Sequence, residues 1–152
     1  VIIGETVDGR GNDAWNHYKK ILPSYVEADH QTLHKVEPYV NCQMVAGKDA
    51  FKPGEGKNSW LTGTAAWMWY TVSEFILGIK PSYNGLEIDP CLPSSAKEYS
   101  VKRRFRGAEY NITVKNPDGV QKGVRKITVD GKTVDGNIVP CSPGKHTVIV
   151  EM

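Results

Sequence analysis

Residues 58–70 read Asn58-Ser59-Trp60-Leu61-Thr62-Gly63-Thr64-Ala65-Ala66-Trp67-Met68-Trp69-Tyr70, a polar loop that runs through Thr-Gly-Thr into a helix apolar on nearly every side. From 65 to 77 the clearly polar side chains are Thr71, Ser73 and Glu74. A helix of that composition has little surface to give to water and belongs inside a larger assembly. Its start holds the chemistry. First-turn amides, the positive end of the helix dipole and two hydroxyls converge at Thr62, Gly63 and Thr64, and the bare backbone at Gly63 admits a ligand. The simpler reading is that Thr62 or Thr64 caps the helix, and the tripeptide alone does not separate the two.

The rest of the chain gives that helix a setting. After Gly9-Arg10-Gly11, Asn12 or Asp13 can cap a helix bearing Trp15, Tyr18, Ile21 and Leu22 at helical spacing, and Pro23 stops it. Residues 24–35 show no sustained period and read as a loop. A second helix is predicted over 39–46, with Pro38 near its start and Gly47 as its left-handed cap. Residues 48–58, with two glycines and a proline, form a polar loop that leads into the opening stretch. The helix after it stops at Gly78, and Lys80-Pro81 prevents its return.

Beyond residue 80 the pattern changes. Runs at 86–88, 99–101, 110–114, 126–129 and 147–150 alternate or favour β-branched residues, and Pro-Asp-Gly, Asp-Gly and Pro-Gly turns separate several of them. They predict an antiparallel β layer. The boundary falls near residue 80, giving an α+β chain of two parts, 1–80 and 81–152. Three apolar helices cannot enclose one another, so the helical partners are expected upstream or on another chain. A start at Val1 rather than methionine fits an internal or processed piece.

Several function classes drop out. Nineteen basic and 17 acidic residues leave a net charge of +2, too balanced to suggest nucleic acid or an anionic membrane. No run approaches the roughly 18 apolar residues that span a bilayer. Three cysteines without a C-x-x-C spacing favour a reducing, cytoplasmic setting over a disulfide framework. Gly56-Lys57 lacks the remainder of a P-loop, and His30 with His34 lacks the glutamate of a helical zinc site. The basic run Lys102-Arg103-Arg104-Phe105-Arg106 reads as a strand with one wet face, and the sequon at Asn111 falls inside a strand. Glu37, Asp49, Glu55 and Asp89 are carboxylates of the type that glycosyl chemistry uses. Glu55 is the best placed, in the loop before Thr62.

Four blocks carry a family resemblance: Glu37-Pro38-Tyr39-Val40; Gln43-Met44-Val45-Ala46-Gly47-Lys48-Asp49-Ala50; residues 54–67; and Ile76-Leu77-Gly78-Ile79-Lys80-Pro81. With residues 83–93 and 105–112 they closely resemble the cellobiose phosphorylases of glycoside hydrolase family 94. The resemblance implies the C-terminal helices of an (α/α)6 barrel followed by a jelly-roll-like β-sandwich. It also implies phosphorolysis of cellobiose, with inversion, to α-glucose 1-phosphate and glucose. Cellodextrin or chitobiose is the alternative substrate, and a non-catalytic carbohydrate-binding or assembly module the alternative class. By the same resemblance Thr62 and Gly63 bind phosphate, Gln43 contacts sugar or phosphate, and Glu55 is a loop contact. The general acid, an aspartate, is expected upstream. Phosphate is the co-substrate, no metal or cofactor is implied, and the intact enzyme is expected to be a homodimer.

Overall fold

The computed structural model describes residues 1–25 and 28–152, which fall into two compact units, 1–15 with 71–152 and 16–70. Helices and sheets are mixed, as an α+β chain requires.

In the first unit, helix α1 (Ile2–Val7) precedes α2 (Gly11–Ile21), along which the chain passes into the second unit. Asp13 in its first turn and Lys19 and Lys20 in its last suit the helix dipole. Asn12 does not cap it. Its side-chain oxygen accepts from the Ser94 amide at 2.9 Å while its own amide donates to Gln121 Oε1 at 2.8 Å. Gly11 is sterically required, because a Cβ there would lie 2.0 Å from the Leu92 carbonyl oxygen.

Eight strands follow: β3 (Ile79–Pro81), β4 (Gly85–Ile88), β5 (Glu98–Phe105), β6 (Ala108–Lys115), β7 (Lys126–Val129), β8 (Lys132–Val134), β9 (Ile138–Pro140) and β10 (Lys145–Glu151). One sheet has the order β3-β4-β9 and the other β5-β6-β10-β7-β8. Alternation along β6 buries Ala108, Tyr110, Ile112 and Val114. They merge with Val148 and Val150 of β10, Ile127 of β7, Leu86 and Ile88 of β4 and Val139 of β9 into one dry core. Arg106-Gly107 and Asp130-Gly131 have positive φ at both residues, the conformation of tight turns that match strand twist. The basic run lies on β5, where Lys102 and Arg104 both face Glu109 across the pair. The expectation of a wholly antiparallel layer fails at one seam: β10 runs parallel to β6 over seven register pairs. The chain reaches that seam by a crossover through β7 to β9.

Asn116 is fully buried and its side chain makes three hydrogen bonds, donating to the Ala96 and Val120 carbonyls at 3.0 and 2.8 Å and accepting from the Val120 amide at 2.8 Å. Each of its polar atoms is satisfied, as burial demands.

The second unit contains a 3-10 turn (Pro23–Tyr25), α3 (Ala28–His34), the strand pair β1 (Met44–Val45) and β2 (Gly56–Lys57), and α4 (Thr64–Tyr70). Two expectations are corrected here. The stretch 24–35 carries a helix rather than a loop, with 26 and 27 outside the described residues. The helix expected over 39–46 is absent: Met44 and Val45 pair with Lys57 and Gly56, because a partner strand beyond the intervening loop outcompetes local propensity. After α4 the chain winds as a π-helix (Thr71–Ile76), seen in the Leu77 amide donating five residues back to Val72 at 2.8 Å. Gly78 ends it at φ +63, where a Cβ would meet the Asp89 carbonyl oxygen at 2.2 Å. The Tyr99 hydroxyl donates to the Leu77 carbonyl, and burial raises that phenol above its ordinary value.

Candidate functional site

Strands β1 and β2 hold the loop between them like a clasp. The Gln43 amide donates to the Lys57 carbonyl at 3.1 Å, Ala46 to Glu55 at 2.9 Å and Gly54 to Ala46 at 2.9 Å. Gly54 has φ +86, a left-handed conformation that favours glycine, and a Cβ there would displace the Leu33 side chain, whose Cδ2 it would meet at 2.7 Å. Asn58, at φ +55, donates its side-chain N–H to Gln43 Oε1 at 2.9 Å. That bond occupies the oxygen of Gln43 and leaves its amide nitrogen as the end that can serve a ligand.

The carboxylates near this clasp are occupied. Glu55 lies 2.5 Å from Lys57 Nζ, and this hydrogen bond, ahead of the Lys57 charge, holds its carboxyl below the usual range. Glu37 is also held down, first by its own backbone amide and then by the Trp60 indole, which donates to it at 3.0 Å. Both shifts favour the ionised carboxylate, the wrong direction for a proton donor. Asp49 pairs with Lys48 at 2.9 Å, and Asp89, in the other unit, with Lys122 at 2.8 Å.

At Thr62-Gly63-Thr64 the helix start is fully formed. Gly63 is the capping residue, its carbonyl accepting the Trp67 amide at 3.1 Å, and Thr62 Oγ1 accepts the Thr64 amide at 3.0 Å. The two threonine hydroxyls lie 2.6 Å apart. Thr62, one residue before the cap, therefore satisfies one first-turn amide through its hydroxyl, which leaves the remaining first-turn donors open to a ligand. Gly63 differs from Gly11, Gly54 and Gly78. Its φ is not left-handed, it is exposed, and the nearest atom to an added Cβ is Trp67 Cδ1 at 3.9 Å. Among the described residues no contact demands glycine at 63. A modest capping preference and close approach from outside are the physical reasons that remain.

An open cavity of about 350 Å³ lies in this unit, lined among others by Lys20, His34, Asn41, Cys42, Gln43 and Thr64. Gln43 and Thr64 both line it. Thr62 and Gly63 adjoin Thr64 along the chain, and Glu55 is outside the lining. Lys20, Asn41 and Cys42 carried no sequence signal beyond the adjacency of Cys42 to Gln43. His34, noted with His30 as a possible metal pair, is instead engaged with Gly54 and Cys42. Among the described residues no group of three metal-ligating side chains is present.

The sheet unit holds a second constellation, Ser142, His146 and Asp130. His146 Nδ1 lies 2.8 Å from Asp130 Oδ2, while Nε2 lies 3.1 Å from Ser142 Oγ and 3.0 Å from the Ser142 carbonyl oxygen. The order copies a nucleophile, base and acid, but the protons do not fit. A carbonyl only accepts, so Nε2 carries hydrogen, and the carboxylate claims a second hydrogen on Nδ1. Asp130, followed by the Ser142 carbonyl, raises the imidazole above its ordinary value. These contacts favour the doubly protonated ring, which ties two turns together and in that form cannot serve Ser142 as a base.

The profile of the glycosyl hydrolase 94 superfamily catalytic domain matches residues 1–78, and that of the glycosyl hydrolase family 65 C-terminal domain matches 79–135. An N,N'-diacetylchitobiose phosphorylase of Vibrio proteolyticus is 38% identical over 97% of this chain and 18% of its own length. A solabiose phosphorylase of Paenibacillus borealis is 38% identical over 99% of this chain and 20% of its own. A 3-O-beta-D-glucopyranosyl-beta-D-glucuronide phosphorylase of the same organism is 35% identical over 93% of this chain and 18% of its own. The chain spans about a fifth of the length of these relatives.

Proposed function

The chain belongs to the glycosyl hydrolase 94 superfamily, and from that premise we propose that it is the C-terminal portion of an inverting disaccharide phosphorylase. Inorganic phosphate attacks the anomeric carbon of a β-linked disaccharide, and an α-sugar 1-phosphate and a free sugar leave. Cellobiose is the disaccharide inferred from the sequence. N,N'-diacetylchitobiose is the second reading, favoured by the Vibrio relative at 38% identity.

The observation that carries the proposal is the helix start at Gly63, open to approach and flanked by two hydroxyls, next to a cavity shared by Gln43 and Thr64. Thr62 and Gly63 hold the phosphate, and Gln43 presents its amide nitrogen to donor sugar or phosphate. Glu55 remains a loop contact locked to Lys57. Phosphate is already a nucleophile, so the site needs fixed donors rather than a base. The leaving sugar takes its proton from an aspartate outside these 152 residues, a reading supported by Glu37 and Glu55 being held below the usual carboxylate range. Neither metal nor cofactor enters; phosphate is the co-substrate. Residues 1–80 contribute to an (α/α)6 barrel and 81–152 form a β-sandwich domain, a division supported by the two matched profiles meeting at 78 and 79. The working enzyme is a homodimer, and three free cysteines favour the cytoplasm.

The enzyme containing this chain is expected to release α-sugar 1-phosphate from cellobiose or N,N'-diacetylchitobiose, with the anomer read by phosphorus NMR. Sugar release indifferent to phosphate overturns the reading. In that enzyme Thr62→Val is expected to raise the phosphate KM roughly tenfold to a hundredfold, the equivalent of about 1.5–3 kcal/mol for a hydrogen bond to a charged group, with the disaccharide KM little changed. The 152 residues alone are expected to be inactive.

A further inference from the structure

One pair in the cavity wall has no part in phosphate binding. His34 Nδ1 lies 3.3 Å from the Gly54 carbonyl oxygen. Because that oxygen can only accept, Nδ1 carries a hydrogen, and in the uncharged form of the ring Nε2 is left with its lone pair. Cys42 Sγ lies 3.7 Å from that Nε2, so the thiol is the donor and the imidazole the acceptor. Both side chains line the open cavity, and Cys42 is only partly buried. A small molecule entering the cavity therefore meets a thiol whose proton already has somewhere to go.

We propose that Cys42 and His34 form a thiol–imidazole pair that makes Cys42 a covalent-modification site for small soft electrophiles, α-haloamides and α,β-unsaturated carbonyl compounds. With an α-haloamide the sulfur forms a bond to the methylene carbon as the carbon–halogen bond breaks. The halide departs with the bonding pair, and the thiol proton passes to His34 Nε2. The imidazolium so formed keeps its Nδ1–H on the Gly54 carbonyl, which holds the ring in place throughout. The adduct occupies the wall beside Gln43. The inference needs only the cavity and the pair, and it stands or falls apart from the phosphorylase reading.

The other two cysteines are references within the same molecule. Cys91 is buried and Cys141 is exposed, with Arg106 Nη1 at 3.9 Å rather than a histidine. The enzyme containing this chain is treated with iodoacetamide at neutral pH, and Cys42, Cys91 and Cys141 are followed by peptide mass mapping. Cys42 is expected to react, Cys91 to stay protected, and His34→Gln to slow Cys42 about fivefold or more while leaving Cys141 unchanged, as loss of a general base requires. Adding free imidazole is expected to restore the Cys42 rate in the variant. An unchanged or faster rate in His34→Gln overturns the proposal. A slowed rate that imidazole does not restore also overturns it, since the histidine then acts only on local structure.

Discussion

The sheet unit and the helix-and-loop unit solve burial in opposite ways. In the former, Ile88, Val114, Ile127, Val139, Val148, Val150 and Met152 are all 0% exposed. In the latter, Tyr18, Val40 and Met68 are the buried hydrophobic side chains among the described residues, whereas Trp60, Leu61, Trp67 and Trp69 are each about two-thirds exposed or more. Large aromatic side chains rarely stay in water without a reason. The first unit completes its own core; the second carries the residues of a core it does not complete, along with every residue assigned to the phosphate site. With the phosphate site as proposed, stability and chemistry fall to separate stretches of one chain.

Substitution tests that division most strongly in the core. Ile112→Ala is expected to cost about 3 kcal/mol in a urea melt followed by the strand signal, within the usual range for a deleted core side chain. Trp67→Ser is expected to change the same melt by no more than about 0.5 kcal/mol, as an exposed position should. Comparable losses from the two would break the contrast.

Glycines sharpen it at smaller scale. Gly78→Ala forces a left-handed φ and a backbone clash and is expected to cost about 1–3 kcal/mol of stability. Gly63→Ala is expected to cost less than about 1 kcal/mol, the size of a capping preference, while lowering phosphate affinity in the enzyme that contains the chain. A Gly63→Ala variant that loses stability but keeps phosphate use would place this glycine with the structural ones.

The smallest effect concerns pH. His146 has its imidazole raised by Asp130, so its contribution is complete below the ordinary histidine value of about 6.5 and is lost as pH rises through the higher folded value. Asp130 is held low chiefly by His146, and its contribution is lost as acid protonates it. The Tm of the chain is expected to fall as pH rises from the ordinary histidine value through the higher folded one, and His146→Gln to flatten that slope. A slope unaltered by the substitution would show that the tie adds nothing to the sheet unit.

What the sequence made legible follows the range of the forces involved. The apolar run after Thr64, the stop at Gly78 and the strands at 86–88, 110–114 and 147–150 are local patterns, and they appear where expected. The failures are long-range. Met44 and Val45 sit in a strand because of Gly56 and Lys57 across a loop, which no local period announces. Alternation marks β6 and β10 as strands without revealing that they lie side by side and parallel. Thr62 and Gly63 were visible as a helix start, and Gln43 came only through family resemblance. His34 and Cys42 had no visible relation until folding set one against the other.

That parallel seam has a mechanical consequence. β10 is the central strand of its sheet, paired with β6 at seven positions and with β7 at four. Tension applied along β10 loads both ladders in shear at once, instead of opening them one bond at a time like a zipper. The sheet unit is therefore a grip: pulled along its last strand, it resists until many hydrogen bonds yield together.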